Sequence, residues 1–131
     1  MAKVLIVDDE PDMRLLVRLV IEGAPEGVEI VGEAADGHEA LRLWRGCTTP
    51  PDVVVIDYRM PGLSGLEVAT QMLAERPDQD IVLYSAFLDD RIRGDALRIG
   101  VAGCLAKGDV AHLPDMVRAL AGGSDSERLA S

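Results

Sequence analysis

Residues 53–62 read VVVIDYRMPG, and they are the strongest single indication of the fold. Four apolar residues lead directly to Asp57, a pattern typical of a buried central strand in a parallel sheet. A carboxylate at the tip of such a strand is costly unless something at that tip binds it. Two other apolar runs end in charge, because residues 4–9 read VLIVDD and residues 102–107 read AGCLAK. Acids and a lysine therefore close several of the predicted strands.

The composition indicates one aliphatic domain. The chain has 131 residues, of which 48% are hydrophobic and 3% aromatic. No apolar run approaches the roughly 20 residues that span a bilayer, and the start is too short for a signal peptide. Cys47 and Cys104 follow no metal-ligand spacing and fit a reducing cytosol, so a cytoplasmic location is predicted. The net charge of −10 argues against nucleic-acid binding by this chain alone.

Apolar runs alternate with helical patterns along the whole chain. Strands are predicted near 3–8, 28–34, 52–57, 80–85 and 102–106, and helices near 11–23, 37–46, 64–75, 89–99 and 110–121. Right-handed βαβ crossovers then give an α/β fold, a flavodoxin-like doubly wound (βα)5 domain. Its five-stranded parallel sheet has the predicted order 2-1-3-4-5. Residues 1–121 form the domain, and the glycine-rich, polar residues 122–131 are expected to be a flexible C-terminal tail or a truncated linker.

Local signals support these helix boundaries. Pro11 suits an opening turn, and Asp36 suits an N-cap. Gly23, Gly46 and Gly100 fall where helices should end. In the first helix, Met13, Leu15, Leu16, Leu19 and Val20 form an apolar stripe of helical period.

Strand order brings the strand-end acids together. With order 2-1-3-4-5, the first and third strands lie about 4.8 Å apart, and ligands of open α/β sheets bind at the carboxyl ends of such strands. Asp8, Asp9 and Asp57 are therefore expected in one pocket. Like charges so close need a cation, and carboxylate oxygens favour Mg²⁺, or Mn²⁺ as the alternative.

Each residue also has a purely structural interpretation. One of Asp8 and Asp9 could cap the first helix, although a cap explains neither the pair nor Asp57. Ser85 could be an ordinary strand-end hydroxyl, and Lys107 a solvated lysine. The chain uses eleven arginines and only two lysines, however, and a compact ammonium suits contact with a phosphoryl oxygen.

The chain resembles the receiver domain of bacterial two-component response regulators over about residues 3–121. The resemblance rests on the order and spacing of VLIVDDE at 4–10, DYRMPGLSG at 57–65, SA at 85–86 and GVAGCLAK at 100–107. Gly108 and residues 31–41 look closest to the receivers of LuxR-type regulators. The family's fold is the doubly wound one predicted above.

The resemblance implies a role for each strand-end residue. Asp57 would be the nucleophile that accepts a phosphoryl group, Ser85 would hydrogen-bond a phosphoryl oxygen, and Lys107 would pair with another. Asp9 would ligate Mg²⁺ directly and Asp8 mainly through a bound water. The implied metal ligands are Asp8, Asp9, Asp57 and the backbone carbonyl of Arg59.

The partners implied by the resemblance are a sensor histidine kinase or a phosphotransfer protein, a C-terminal effector domain in a longer parent chain, and a second copy in a homodimer. The chain would be a phosphorylation-dependent switch and not an enzyme with a separate substrate. Its only chemistry would be Mg²⁺-dependent self-phosphorylation from a phosphodonor and autodephosphorylation. A membrane is not among the expected partners.

Three other classes of function are weighed against this one. A flavin or nucleotide module needs a phosphate-binding loop after the first strand, where Asp9 and Glu10 would repel phosphate. A phosphatase with an aspartyl nucleophile usually has a second acid two residues on, where this chain has Arg59. A phosphorylation-independent pseudo-receiver, acting as a protein-interaction module, is the main alternative, because Cys104 replaces the aromatic that most receivers use in switching. Tyr84 is expected to be a core residue and not a substitute for that aromatic.

Overall fold

The computed structural model describes residues 1–24 and 27–130, with the backbone alone over 123–130. In this part of the chain, strands alternate with helices as the sequence predicts. The elements are β1 Ala2–Val7, α1 Pro11–Glu22, β2 Val28–Ala34, α2 Gly37–Gly46, β3 Val53–Asp57, α3 Gly65–Glu75, β4 Asp80–Ser85, α4 Asp90–Ile99, β5 Gly103–Ala106 and α5 Leu113–Ala130. A 3₁₀ helix, Lys107–His112, joins β5 to α5.

The strands form one parallel sheet in the order β2-β1-β3-β4-β5, which confirms the predicted topology. β1 pairs with β3 in a register that sets Val7 opposite Ile56, and β3 pairs with β4 so that Asp57 lies opposite Tyr84. Because all the strands run the same way, their carboxyl ends lie at one edge of the sheet. That edge carries the residues that the sequence singles out.

The sheet is covered on both faces by apolar side chains. Val54 and Ile56 of β3 face a cluster completed by α2, α3 and α4, whereas Val53 and Val55 face a second cluster completed by α1 and α5. Every residue of β3 is buried. The nearly unbroken apolar composition of this strand follows from its central place between two helical layers.

Most of the predicted helix signals are confirmed. Pro11 opens α1, and the side chain of Asp36 accepts a hydrogen bond from the backbone N–H of Glu39 at 2.8 Å. Gly23 and Gly100 cap the ends of α1 and α4, and Gly46 is the last residue of α2. The local chemistry of the sequence therefore fixes these boundaries.

The predicted apolar stripe of α1 is wrong in part. Leu15, Leu16 and Leu19 are exposed, while Val17 and Ile21 are buried against the sheet. Val17 and Ile21 lie one helical turn apart, and this pair sets the face that packs on the second cluster. The three leucines lie on the outer side of the helix, where their apolar surface meets solvent.

The end of the chain differs from the predicted helix 110–121. A 3₁₀ helix, Lys107–His112, comes first. It is kinked at Asp109, whose dihedral angles of −102° and 21° are not helical. The α-helix starts at Leu113, where Pro114 fits the first turn because its missing N–H has no intrahelical partner there. Helical backbone continues to Ala130. The interpretation of residues 122–131 as a tail or linker stays a prediction. Among the described residues, no helix is long and apolar enough to span a membrane.

Candidate functional site

Four acids converge at the carboxyl edge of the sheet. Asp8 and Asp9 follow β1, Asp57 ends β3, and Glu10 precedes α1. One carboxylate oxygen from each lies within 4.8 Å of those of the others. The structure thus brings together the three aspartates that the sequence singles out, and it adds Glu10, which the sequence reasoning did not include in the cluster.

The acids differ in burial and in hydrogen bonding. Asp8 is fully buried and Asp57 is 2% exposed, whereas Glu10 is exposed. Asp8 Oδ1 accepts from the backbone N–H of Glu10 at 2.9 Å, and Asp57 Oδ1 accepts from the N–H of Arg59 at 3.3 Å. The N-cap of α1 is Glu10, without a side-chain cap bond. Neither Asp8 nor Asp9 therefore caps α1, as the purely structural interpretation of these residues would require.

Lys107 supplies one positive charge to this cluster. Its Nζ lies 3.0 Å from Asp57 Oδ2, 3.2 Å from Asp8 Oδ2 and 3.3 Å from Glu10 Oε1. The lysine side chain is only 12% exposed, so it is not the solvated strand-end lysine of the alternative interpretation. One ammonium against four carboxylates leaves an excess of negative charge, which favours a bound cation.

The electrostatic environment perturbs both groups at the centre of the site. Burial raises the pKa of Asp57 to about 6. The hydrogen bond from Lys107 lowers this pKa, whereas the negative charge of Asp8 raises it. Burial works to lower the pKa of Lys107, but its hydrogen bond to Asp57 and the charges of Asp57 and Asp8 raise that pKa overall. Lys107 is therefore a cation at neutral pH.

A cavity of about 340 Å³ opens above Asp57. Its lining residues are Glu10, Asp57, Arg59, Ser85, Ala86, Phe87 and Lys107. Ser85 ends β4, and its hydroxyl is held locally, because Oγ donates to the carbonyl of Phe87 at 2.8 Å and accepts from the N–H of Phe87 at 3.2 Å. The cavity gives a reactant direct access to an otherwise buried carboxylate.

The loop after β3 is shaped by two glycines. Gly62 has a φ of +76°, a region that favours glycine. A Cβ on Gly65 would lie 2.2 Å from the carbonyl oxygen of Asp57, and the N–H of Gly65 donates to the carbonyl of Tyr58 at 2.9 Å. The start of α3 can therefore pack directly on the backbone of Asp57 only because residue 65 has no side chain.

The sequence reasoning missed the polar role of Tyr84. Tyr84 is a core residue as predicted, fully buried in the cluster under α1 and α5. Its hydroxyl nevertheless donates to Asp8 Oδ2, and Lys107 Nζ lies 5.2 Å from the centre of its ring. A signal for this contact is in the sequence, since a buried tyrosine hydroxyl usually needs a partner and Tyr84 directly precedes Ser85 at the end of β4.

Cys104 and the arginines of α4 are not part of the acidic cluster or of the cavity lining. Cys104 is partly buried against the first core cluster, and burial raises the pKa of its thiol. Arg91, Arg93 and Arg98 are exposed, as expected for a solvated helix face, and Arg98 forms an ion pair with Asp95 at 3.0 Å.

The donor set fits Mg²⁺ or Mn²⁺. These cations prefer hard oxygen ligands, and the cluster offers carboxylates from Asp8, Asp9, Asp57 and Glu10. The acids approach each other closely beside an open cavity, so a small cation would neutralise charge that Lys107 leaves uncompensated. The chemistry of the site is thus compatible with the metal that the sequence predicts.

Comparison with known proteins identifies the family. The response regulator receiver domain family matches residues 4–118. The chain is 36% identical to the response regulator GacA of Pseudomonas aeruginosa over 120 residues, which cover 92% of this chain and 54% of GacA. The chain therefore belongs to the response regulator receiver domain family. It spans about half the length of the curated relatives that it matches.

Solved structures show the same fold. A two-component response regulator of the LuxR family from Aurantimonas sp. SI85-9A1 superposes with a TM-score of 0.86 at 32% identity, covering 94% of this chain and 86% of that one. A chain from the CheX-CheY-BeF3-Mg²⁺ complex of Borrelia burgdorferi superposes with a TM-score of 0.82 at 25% identity, covering 90% of this chain and 87% of that one. The flavodoxin-like receiver fold is thereby confirmed.

Proposed function

We propose that this chain is a phosphorylation-dependent signalling receiver in which Asp57 accepts a phosphoryl group from the phosphohistidine of a partner kinase. The observation that carries the proposal is the placement of Asp57. It is a buried carboxylate with a raised pKa that faces an open cavity between an acidic cluster and a lysine ammonium. This combination suits transfer of a charged group onto one defined carboxylate.

The proposed chemistry is an in-line displacement. An oxygen of ionised Asp57 attacks phosphorus, an O–P bond forms, and the P–N bond of the phosphohistidine breaks as the imidazole leaves. Lys107, 3.0 Å from Asp57, would transfer its contact to a phosphoryl oxygen of the product. Phosphoryl transfer depends mainly on positioning and on neutralising charge, and both are built into this edge of the sheet.

Asp8, Asp9, Asp57 and the backbone carbonyl of Arg59 would hold Mg²⁺ in the proposed site. The cation supplies charge neutralisation for the phosphoryl oxygens when it is bound. Support comes from a similar structure, the CheX-CheY complex from Borrelia burgdorferi, which was solved with BeF3 and Mg²⁺. Glu10, at the exposed side of the cluster, adds negative charge without needing to be a ligand.

Ser85 would act after transfer. Its hydroxyl now donates to the carbonyl of Phe87, so it must exchange this bond for one to a phosphoryl oxygen. The exchange would draw the start of the β4–α4 loop towards Asp57. We propose that this local movement begins the change that a partner detects.

The partner and context complete the proposal. Because relatives such as GacA are about twice as long as the matched region, a longer parent chain with an effector domain is proposed, with residues 122–131 leading towards it. A histidine kinase or a phosphotransfer protein would be the donor, in the cytoplasm. Phosphorylation would reset an effector contact or a homodimer. The only reactions proposed for the chain itself are self-phosphorylation and autodephosphorylation.

The test is incubation with acetyl phosphate and Mg²⁺, followed by intact-mass spectrometry. The wild type should gain one phosphoryl group, and Asp57→Asn should gain none. Asp52→Asn is the matched control, because Asp52 lies just before β3 at the opposite edge of the sheet, where its side chain accepts the N–H of Lys3 at 2.7 Å. It should be phosphorylated like the wild type. An unmodified wild type, or a modified Asp57→Asn variant, would refute the proposal.

Cys104 favours a second candidate, the phosphorylation-independent pseudo-receiver. The residue lacks the aromatic ring of most receivers and lies only partly buried beside the first core cluster. The phosphorylation-dependent receiver and the pseudo-receiver can be distinguished by measuring the molecular mass by scattering, or the binding of a partner, with and without beryllofluoride. A change in either property supports the switch, whereas a partner that binds equally well in both conditions supports the pseudo-receiver.

A further inference from the structure

Tyr84 makes two contacts with charged residues of the site from inside the core. It is fully buried in β4, next to the strand end at Ser85. Its hydroxyl donates to Asp8 Oδ2, and the ammonium of Lys107 lies 5.2 Å from the centre of its ring. Tyr84 therefore touches both a proposed metal ligand and the cation that competes with the metal.

The oxygens of Asp8 are held by donors on both sides. Oδ1 accepts from the N–H of Glu10 at 2.9 Å, while Oδ2 receives the Tyr84 hydroxyl and lies 3.2 Å from Lys107 Nζ. Asp8 has no exposed surface, so water cannot replace a lost donor without entering the core. The plane of this carboxylate is therefore set by Glu10, Tyr84 and Lys107 together.

Tyr84 is a stable donor in this position. The hydroxyl lies within hydrogen-bond distance of Asp8 Oδ2, and its ring is fully buried. The hydroxyl is the donor and the carboxylate oxygen of Asp8 is the acceptor. Packing of the ring among the residues under α1 and α5 holds the hydroxyl in place.

We propose that Tyr84 is a positioning residue for the metal site, which orients Asp8 towards the cation and limits its pairing with Lys107. This inference rests on the proposed function, since it concerns the same Mg²⁺. Without the hydroxyl, Oδ2 of Asp8 would be free to turn fully towards the ammonium, and the cation would then have to displace a stronger ion pair. Partners that orient metal ligands in this way commonly change metal affinity by about 10–100-fold when removed.

The test is a Mg²⁺ titration of the unphosphorylated chain by calorimetry. Tyr84→Phe keeps the ring and deletes the hydroxyl, and its Kd for Mg²⁺ should rise about tenfold. Tyr58→Phe is the matched control, because Tyr58 is the other tyrosine of the chain and packs against the opposite core cluster. Its Kd should stay within twofold of the wild type. An equally small change in Tyr84→Phe would overturn the inference.

A second readout separates positioning from a structural role. With acetyl phosphate, Tyr84→Phe should be phosphorylated slowly at low Mg²⁺ and at the wild-type rate when Mg²⁺ saturates. A variant that is merely less stable would show a lower Tm and an unchanged dependence on Mg²⁺, which would contradict the inference. A wild type that binds Mg²⁺ but is never phosphorylated would refute the proposed function and leave the affinity comparison intact.

A measurement on the wild-type sequence covers the case in which Tyr84→Phe does not fold. The chain has two tyrosines, so 3-fluorotyrosine labelling gives two ¹⁹F resonances. The resonance of Tyr84 should shift as Mg²⁺ is added, because its hydrogen-bond acceptor becomes a metal ligand. A Tyr84 resonance that does not respond to saturating Mg²⁺ would overturn the inference.

Discussion

Asp57 carries a charge that the fold makes costly to hold. Burial raises its pKa from 3.8 to about 6, so the folded chain retains a proton on this carboxyl that the unfolded chain would release. A raised carboxyl pKa contributes stability that is present at low pH and is lost as the pH rises through the folded-state pKa. At neutral pH the ionised Asp57 therefore destabilises the native state.

Removing this charge should stabilise the protein at neutral pH. We expect the free energy of unfolding of Asp57→Asn, measured by urea denaturation in EDTA, to exceed that of the wild type by about 2–3 kcal/mol near pH 7. A pKa raised from 3.8 to about 6 corresponds to about 3 kcal/mol at about 1.4 kcal/mol per pKa unit, and screening by solvent in the cavity reduces this figure. The difference should shrink as the pH falls from about 6 towards 3.8. A difference that grows on acidification would contradict the assignment of a raised pKa to Asp57.

Lys107 is expected to stabilise the native state, whereas the ionised Asp57 destabilises it. Lys107→Met retains much of the side-chain volume but leaves the acids without their ammonium. The variant should lose about 3 kcal/mol of stability in EDTA, as expected when one partner of a buried ion pair is removed.

Added Mg²⁺ should restore a larger part of the stability of Lys107→Met than it adds to the wild type, because the cation replaces the missing charge. Thermal melting with and without Mg²⁺ measures both effects. Lys3→Met, which removes the only other lysine of the chain, is the control and should melt like the wild type. Equal melting of the two variants in EDTA would show that Lys107 does not stabilise the cluster.

At the level of single residues, the sequence predicts which groups meet but not how they are oriented. Asp8, Asp57 and Lys107 could be placed because each closes an apolar run, and parallel strands end at a common edge. The bond from Tyr84 to Asp8 depends on the face of β4 that carries the ring, and the bond from Ser85 to Phe87 depends on the dihedral angles of the following turn. Neither is encoded in residue spacing alone.

The β3–α3 connection shows how an element is fixed by a missing side chain. Gly65→Ala would set a Cβ 2.2 Å from the carbonyl oxygen of Asp57, so either α3 or the strand end must move. We expect a loss of about 1–3 kcal/mol in the free energy of unfolding, the usual range for overpacking. Phosphorylation from acetyl phosphate should also slow, because Asp57 is displaced.

Gly46→Ala is the matched control for Gly65→Ala. A Cβ on Gly46 meets nothing within 4 Å, and the residue ends α2, where alanine is the better helix former. Its stability should equal or exceed that of the wild type. If Gly65→Ala proves as stable as Gly46→Ala, the close approach of α3 to Asp57 is not a constraint on the fold.

Whole elements were predictable where patterning and capping agree. β3 and β4 are short apolar runs bounded by polar residues, and α2 has an aspartate cap that matches its observed start. The region after β5 was less predictable, because Lys107–His112 forms a 3₁₀ helix whose side chains show no clear period. The outward leucines of α1 were misplaced because apolar residues occupy both faces of that helix.

On the scale of the whole molecule, the site joins the two cores of the protein. Ile56, next to Asp57, belongs to the cluster under α2, α3 and α4, whereas Tyr84, bonded to Asp8, belongs to the cluster under α1 and α5. The site is therefore in contact with side chains of both packing clusters.

Phosphorylation of Asp57 is tested most directly by locating the phosphoryl group in the chain. Borohydride reduces an acyl phosphate to an alcohol, so peptide mass spectrometry of the chain treated with acetyl phosphate and Mg²⁺, and then with borohydride, identifies the modified residue. We expect homoserine in place of aspartate at position 57, and its loss when Mg²⁺ is withheld. Unreduced aspartate at position 57, or reduction at another acid of the cluster such as Asp8 or Asp9, would contradict it.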